Sequence, residues 1–201
     1  MHINPNLKIS QFLILAIGAL AAFAAQTAVA PDAADIGVRV SKRGEWIVVD
    51  VDFAVRATAL ESWNVLTDYD NMARFVSNLE ASRITGRDGN VLTVEQKGKA
   101  SRGPITFTFA LVREVVLVPF DEIRSRLVSG DLEASQFTTR IVDHGPTTQI
   151  SNHGEYIPNV WVPPLIGTAI IEAETRKQFQ EFRVEILRRR GDVAAAATRS
   201  P

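Results

Sequence analysis

The side chains that most often carry out chemistry in proteins are sparse in this sequence. Its 201 residues contain no cysteine and three histidines, His2, His144 and His153. The missing thiol excludes cysteine nucleophiles, disulfides and thiolate metal sites. His2 lies in an apolar leader and His144 in a His-Gly-Pro turn. His153 and Glu155 could bind a metal together, but two ligands on one strand are weak evidence for a site. We interpret His153 as a solvent-facing residue.

Asp68 and Asp70 form the second arrangement with chemical potential, because two nearby carboxylates can act as acid and base. They lie in a turn between two predicted short helices, where helix capping explains them better. The sequence contains no Gly-x-Ser-x-Gly, no glycine-rich phosphate loop and no His-Glu-x-x-His. We therefore predict no catalytic residue, no metal site and no cofactor.

The first thirty residues differ from the rest of the chain. Lys8 is the only charged side chain before Asp32, and residues 12–25 are almost all apolar or small. This pattern is typical of a secretory signal, and residues 22–24 and 28–30 both fit an A-x-A cleavage site. An uncleaved anchor is the alternative, although a span needs about 20 apolar residues. We predict a signal peptide over residues 1–30 and a periplasmic or secreted protein.

Strand patterns fill most of the chain after a linker predicted at residues 31–44. The first strand runs from about Trp46 to Arg56 with alternating apolar residues. Thr58 and Glu61 then form a capping box that starts the first of two short helices. Six further strands follow, joined by tight turns such as Asp-Gly at residues 88–89. Short links between consecutive strands predict an antiparallel sheet of about seven strands.

A long amphipathic helix closes the fold. It is predicted from Leu165 to Arg190, with Gly191 as its C-terminal cap and residues 191–201 as a disordered tail. A helix of this length needs a wide apolar partner, which the sheet supplies. The fold class is therefore α+β, with one helix lying across one curved sheet and a ligand-binding domain at residues 45–190.

Two stretches of sequence resemble a known family. Residues 63–70, continuing to residues 75–79, and residues 152–158 together with Glu174, Thr175 and Arg176 are similar to the coenzyme Q-binding and polyketide-cyclase branch of the START-like (SRPBCC) superfamily. The resemblance spans residues 45–190 and implies the helix-grip fold. It also implies a cavity between sheet and helix that holds an apolar molecule. The N-terminal signal departs from the mitochondrial quinone-binding members.

Polar residues on the predicted core face can be interpreted in two ways. Gln96, Ser125, Asn152 and Arg113 lie there beside apolar neighbours. Buried polar groups need partners, so they can satisfy one another. Alternatively, Gln96 and Asn152 bind the polar end of a ligand, as a few polar groups do in apolar pockets. The aromatic residues can likewise be core or pocket wall. The predicted ligand-binding residues are Gln96, Phe107, Phe109, Phe137, Asn152, Tyr156, Trp161, Ile171, Thr175 and Phe179.

The loop at residues 160–166 is unusually apolar for a connection, beginning with Val160 and Trp161 and ending with Leu165 and Ile166. In the resembled fold it lies at the cavity mouth, where it would be a lid or a membrane-touching tip. A loop folded onto the helix is the alternative.

The main hypothesis is a protein that binds, and as a further step transports, a hydrophobic small molecule such as a lipid or quinone. The second is a polyketide cyclase or aromatase that uses the same cavity, and the third is a protein-interaction module. The lack of an inward-facing histidine, cysteine or carboxylate pair favours binding over catalysis. A formal net charge of −1 and a pI of about 6.3 give no support to a nucleic-acid partner.

The leader predicts the start of the mature chain. If the signal is cleaved, the exported protein should begin near Ala25 or Pro31, because the A-x-A patterns end just before these residues. Intact-mass measurement of protein recovered from the exporting cell tests this expectation. A full-length species that pellets with membranes would show that the leader is an anchor instead.

Overall fold

The computed structural model describes residues 35–102, 105–159 and 166–199. Eight antiparallel strands form one sheet in the order β1-β2-β8-β7-β6-β5-β4-β3. A short helix, α1, and a single 3-10 turn at Met72–Arg74 separate β2 from β3, and a long helix, α2, follows β8. The bounds are β1 Gly37–Arg43, β2 Trp46–Val55, α1 Ala59–Leu66, β3 Leu79–Asp88, β4 Val91–Arg102, β5 Ile105–Val118, β6 Glu122–Gly130, β7 Leu132–Asp143, β8 Thr148–Pro158 and α2 Ile166–Arg199. The predicted α+β helix-grip architecture is confirmed.

The capping box at the start of α1 forms as predicted. The Glu61 backbone N–H donates to the Thr58 hydroxyl at 3.2 Å, and the Thr58 N–H donates to the Glu61 carboxylate at 2.8 Å. Two of the N–H groups that a helix start leaves unpaired are thereby satisfied. The second predicted short helix is the 3-10 turn.

The strand count is one higher than predicted because β1 lies in the segment assigned to a linker. Only Val38 and Val40 point toward the core from this strand, opposite Val51 and Val49 of β2. The residues between them are charged, polar or glycine, so two apolar positions were too few to reveal the alternation. The strand nevertheless closes one edge of the sheet over α2.

The predicted end of α2 at Arg190 is wrong, and so is the disordered tail, since the helix continues to Arg199. Gly191 is exposed, and nothing lies within 4 Å of where its Cβ would be. Arg188 donates to the Asp192 carboxylate at 2.6 Å, which bridges the glycine by one helical turn. The following alanines are the strongest helix formers. Gly191 does not adopt the left-handed backbone conformation with which a glycine ends a helix, so α2 continues through it.

The concave face of the sheet is tightly packed at one end, which we call the packed end. Side chains of α1 and of α2 from Phe179 onward cover it, with Phe182 and Ile186 of α2 in the same cluster. Phe179 of α2 meets Phe53 of β2 edge-on at a ring-centroid distance of 5.9 Å. Seven inward-facing sheet residues at the packed end are buried: Val55, Leu92, Val94, Val115, Ile123, Ile141 and Ile150.

An ion-pair cluster ties α2 to the turn after α1. Glu185 accepts from Arg188 and Arg189 at 2.7 Å, and Arg189 also donates to Asp68 at 2.8 Å. Arg189 in addition lies over the Phe75 ring, 5.4 Å from its centroid. The hydrogen bond from Arg188, aided by Arg189, lowers the pKa of Glu185 from 4.5 to about 2. The carboxylate of Glu185 therefore stabilises the folded state in its charged form.

Within the part of the chain that the structure describes, no helix is long and apolar enough to cross a membrane.

Glu185→Gln should destabilise the protein at neutral pH by about 1–3 kcal/mol, the range for hydrogen bonds to charged groups. Because folding lowers the pKa of Glu185, its contribution is complete above the ordinary value of 4.5 and is lost as pH falls toward about 2. The difference in unfolding free energy between wild type and variant should shrink over that interval, as urea titrations at several pH values would show. Glu174→Gln on the same helix is the control and should stay within about ±0.5 kcal/mol throughout. A pH-independent difference for Glu185→Gln would contradict the assignment.

Candidate functional site

The concave face opens at the end opposite to the packed end. There several inward-facing side chains remain partly exposed although they lie on the face of the sheet that the helix covers. From the sheet these are Phe109, Leu111, Leu127, Phe137 and Tyr156, and from the first half of α2 they are Ile171 and Thr175. The same faces of the same strands are buried a few residues away, so the exposure reflects an opening between sheet and helix. We call this region the open end.

Phe137 on β7 and Gly154 on β8 shape one wall of the open end. They are direct partners across the two strands, and a Cβ on Gly154 would lie 2.0 Å from the Phe137 ring. The ring therefore rests on the bare backbone of Gly154. It also stacks with the Tyr156 ring at a centroid distance of 6.2 Å and an interplanar angle of 22°. Burial raises the pKa of Tyr156, so its hydroxyl stays protonated at physiological pH.

Phe109 on β5 and Gly98 on β4 repeat this arrangement on the other side. A Cβ on Gly98 would lie 2.6 Å from the Phe109 ring and 2.1 Å from the Asn78 carbonyl oxygen. That carbonyl accepts from the Lys99 N–H at 2.9 Å, so the backbone there has little freedom to move. Two aromatic rings on two glycines thus give the open end a flat, apolar wall.

A polar group lies where the open end meets the packed end. Gln96 on β4 is buried, and its amide donates to the Ser82 hydroxyl at 3.1 Å. Its carbonyl oxygen accepts a hydrogen bond from Arg113 of β5. Tyr69 is buried close by, and burial raises its pKa while the Arg113 charge opposes the change. Burial in turn lowers the pKa of Arg113, opposed by Tyr69.

Asn152 on β8 is buried and accepts a hydrogen bond from the Thr139 hydroxyl of β7 at 2.9 Å. Gln96 and Asn152 therefore both have protein partners, as the first of the two interpretations of the core-facing polar groups requires. Two polar atoms on the same concave face are buried without a hydrogen-bond partner among the described residues: Arg113 Nε and the Ser135 hydroxyl oxygen. Ser135 lies directly opposite Tyr156 in the sheet.

The predicted ligand-binding residues fall into three groups. Phe109, Phe137, Tyr156, Ile171 and Thr175 are partly exposed at the open end, whereas Gln96 and Asn152 are buried and hydrogen-bonded. Phe179 is packed among the aromatic residues of the core, 9% exposed. The side chains of Phe107 and Trp161, and the loop at residues 160–165, lie outside the described residues. A ligand-binding role for these ten residues stays a prediction.

Arg113 and Ser135 were not among the predicted ligand-binding residues. Arg113 had one signal in the sequence, a charged residue at an inward position of an otherwise apolar alternation between Leu111 and Val115. Ser135 had none, because a serine in a strand carries no mark of burial.

His153 faces solvent, as predicted. Its Nδ1 lies 2.7 Å from the Asp50 carboxylate on the convex face of the sheet. The capping role predicted for the two aspartates of the turn is wrong. Asp68 accepts from the Asn71 amide at 2.8 Å and from Arg189, while Asp70 accepts from the Ile84 N–H at 2.7 Å. Across residues 35–102, 105–159 and 166–199, no cluster of histidine and carboxylate side chains could hold a metal ion.

A sheet that curves around a long C-terminal helix and leaves a lined opening between them defines a START-like protein of the helix-grip fold. The chain belongs to the family described as polyketide cyclase/dehydrase and lipid transport, whose model matches residues 55–192. A comparison with curated proteins finds no significant match.

Solved structures share this fold at low sequence identity. The Zhui aromatase/cyclase from Streptomyces sp. R1128 is 16% identical, with a TM-score of 0.61 over 72% of this chain and 95% of its own. A START superfamily protein from Mycobacterium smegmatis is 13% identical, with a TM-score of 0.61 over 70% of this chain and 97% of its own. A STAR-related lipid transfer protein from Xanthomonas axonopodis is 11% identical, with a TM-score of 0.59 over 75% of this chain and 98% of its own. These similarities establish the fold.

Gly154→Ala should cost about 1–3 kcal/mol of stability, the range for overpacking, because the new methyl group occupies the place of the Phe137 ring. In a Phe137→Ala background the same change should be nearly neutral, since the ring is gone. Urea denaturation of the wild type, both single variants and the double variant measures the coupling. Equal costs of Gly154→Ala in both backgrounds would show that the ring does not rest on this glycine.

Proposed function

We propose that this protein binds a hydrophobic small molecule in the opening between the sheet and the first half of α2. One observation carries the proposal: inward-facing aromatic and aliphatic side chains are partly exposed at the open end, while the same faces are buried at the packed end. Leaving apolar side chains in contact with water costs free energy, at about 25 cal/mol per Å² of apolar surface. A ligand that fills the opening would recover that free energy.

We further propose that the ligand is a lipid or quinone and that the protein carries it between membranes. The description of the family includes lipid transport, and the Xanthomonas axonopodis neighbour is a STAR-related lipid transfer protein. The quinone proposal follows from the resemblance of residues 63–79 to coenzyme Q-binding proteins. Export by the N-terminal leader and membrane contact through residues 160–166 belong to the same proposal and rest on the sequence alone.

An aromatase or cyclase activity in the same opening is the second candidate. The polar group of Arg113, Gln96 and Tyr69 favours it, because donors on a cavity wall could polarise the carbonyls of a polyketide chain. Both histidines in the described part of the chain are exposed and distant from this face. The residues of the open end therefore support binding more directly than they support acid-base chemistry.

Blocking the opening tests the binding proposal. Ser125 on β6 faces inward between Val115 and Phe137 and is partly exposed. Ser125→Phe should weaken binding of the uncharged fluorescent probe N-phenyl-1-naphthylamine about tenfold or more, because the ring takes up volume that the probe needs. The loss of stability should be about 1–3 kcal/mol or less, since an opening tolerates added volume better than a packed core.

Ser151→Phe is the matched control, because Ser151 lies on the convex face of β8. It should leave probe binding unchanged. If the wild type binds no apolar probe, or if both serine variants bind like the wild type, the opening does not hold an apolar molecule.

A further inference from the structure

Arg113 is a cation on the cavity wall that lacks a carboxylate partner. Its side chain is only partly exposed, yet within the described chain no aspartate or glutamate forms an ion pair with it. The single hydrogen bond of its guanidinium to these residues goes to the Gln96 carbonyl oxygen, and Nε is buried without a partner. By contrast, the outward-facing Arg126 on the next strand donates twice to Glu114, at 2.8 and 2.9 Å.

An uncompensated cation in such a place is unfavourable. Charges removed from water are ordinarily paired, because desolvation costs more than one hydrogen bond to a neutral group returns. Gln96 is neutral, and Tyr69 is also neutral at physiological pH because burial raises its pKa. Neither residue cancels the charge of the guanidinium. The protein holds the arginine in place and leaves its charge for another group to neutralise.

The position of Arg113 indicates where that group would lie. Along β5 it stands between Leu111, which is partly exposed at the open end, and Val115, which is fully buried at the packed end. Its direct partner on β4 is Val94, also fully buried. The guanidinium therefore lies at the inner end of the opening, where the packed core begins. Between it and the mouth, on the same strand, lie Leu111 and the Phe109 ring that rests on Gly98.

We propose that the ligand is an amphiphile with an acidic headgroup, a carboxylate or a phosphate, bound with its headgroup inward against Arg113. Guanidinium forms paired, charge-assisted hydrogen bonds with both groups, and Nε is free to take part. The apolar chain of the ligand would extend along Leu111 and Phe109 toward the mouth. This inference rests on the proposed binding function and specifies the chemical class of ligand that the same opening accepts.

Displacement of N-phenyl-1-naphthylamine from the wild-type protein compares three ligands with the same acyl chain. Oleate carries a carboxylate, oleoyl lysophosphatidic acid a phosphate and monoolein an uncharged glycerol. At least one of the two acids should bind about 10- to 100-fold more tightly than monoolein, the range for a charge-assisted contact. A preference for oleate assigns a carboxylate, and a preference for lysophosphatidic acid assigns a phosphate.

Three variants locate the source of the preference. Arg113→Met keeps the approximate length of the side chain and removes its charge, so it should abolish the preference for the acids over monoolein. Arg113→Lys keeps the charge without the planar fork and should retain part of the preference. Arg126→Met, on the convex face, should behave like the wild type.

The result that would overturn the inference is equal binding of acids and monoolein to the wild type, or an acid preference that survives in Arg113→Met. In either case the probe would still bind and the proposed function would stand. If the probe and all three ligands fail to bind the wild type, the proposed function itself is wrong. The wild-type comparison needs no variant, so it decides the matter even if Arg113→Met does not fold.

Discussion

A curved sheet of eight strands has more concave surface than one helix can cover, and the rest of this structure depends on that mismatch. Helix α2 packs against β1 and β2 at one side of the sheet, with Phe179 meeting Phe53, and against α1. Helix α1 and the turn that follows it cover the packed end. At the other end Phe109 of β5, Phe137 of β7 and Tyr156 of β8 stay partly exposed on the concave face. The opening follows from this geometry, and the binding function proposed above depends on it.

The remaining question for such an opening is why the strands do not close it with their own side chains. Gly98 and Gly154 are part of the answer, because each lets a phenylalanine of the neighbouring strand approach the backbone more closely than any side chain would allow. A ring that rests on the backbone projects less into the space above the sheet. Thr175 on the helix and Ser125 on the sheet contribute small, partly exposed side chains. The apolar wall and the open space beside it therefore have a common origin: aromatic rings lie over glycines, and other inward positions carry small residues.

Local patterns in the sequence predicted those parts of the molecule that local physics determines. The alternation of apolar residues was sufficient to predict β5, and the capping box of Thr58 and Glu61 was sufficient to predict the start of α1. Both patterns involve residues that are close together in the sequence. Strand β1 was missed because its outward residues masked two inward valines. The partner of Asp68 is Arg189, far away in the chain, so no local rule could find it. Phe179 belongs to the same helical stripe as Thr175, and periodicity does not tell which turn of a helix meets a packed core and which meets an opening.

The position of an inward-facing residue along β5 determines whether it contributes to the stability of the core or to the shape and polarity of the opening. Val115 and the residues around it are buried, and a change there alters the free energy of unfolding. Phe109 and Leu111 face the opening, where a change would alter the shape that the proposed ligand has to match. Arg113 stands between them, fixed from one side by Gln96 and open toward the other. A single inward position at this boundary decides whether the inner end of the opening is charged or apolar. The chemical class of ligand can therefore change while the helix, the sheet and the wall supported by glycines stay the same. The low sequence identity between this chain and solved structures of the same fold is compatible with that division, since the fold depends on many apolar positions and the polarity of the inner end on very few.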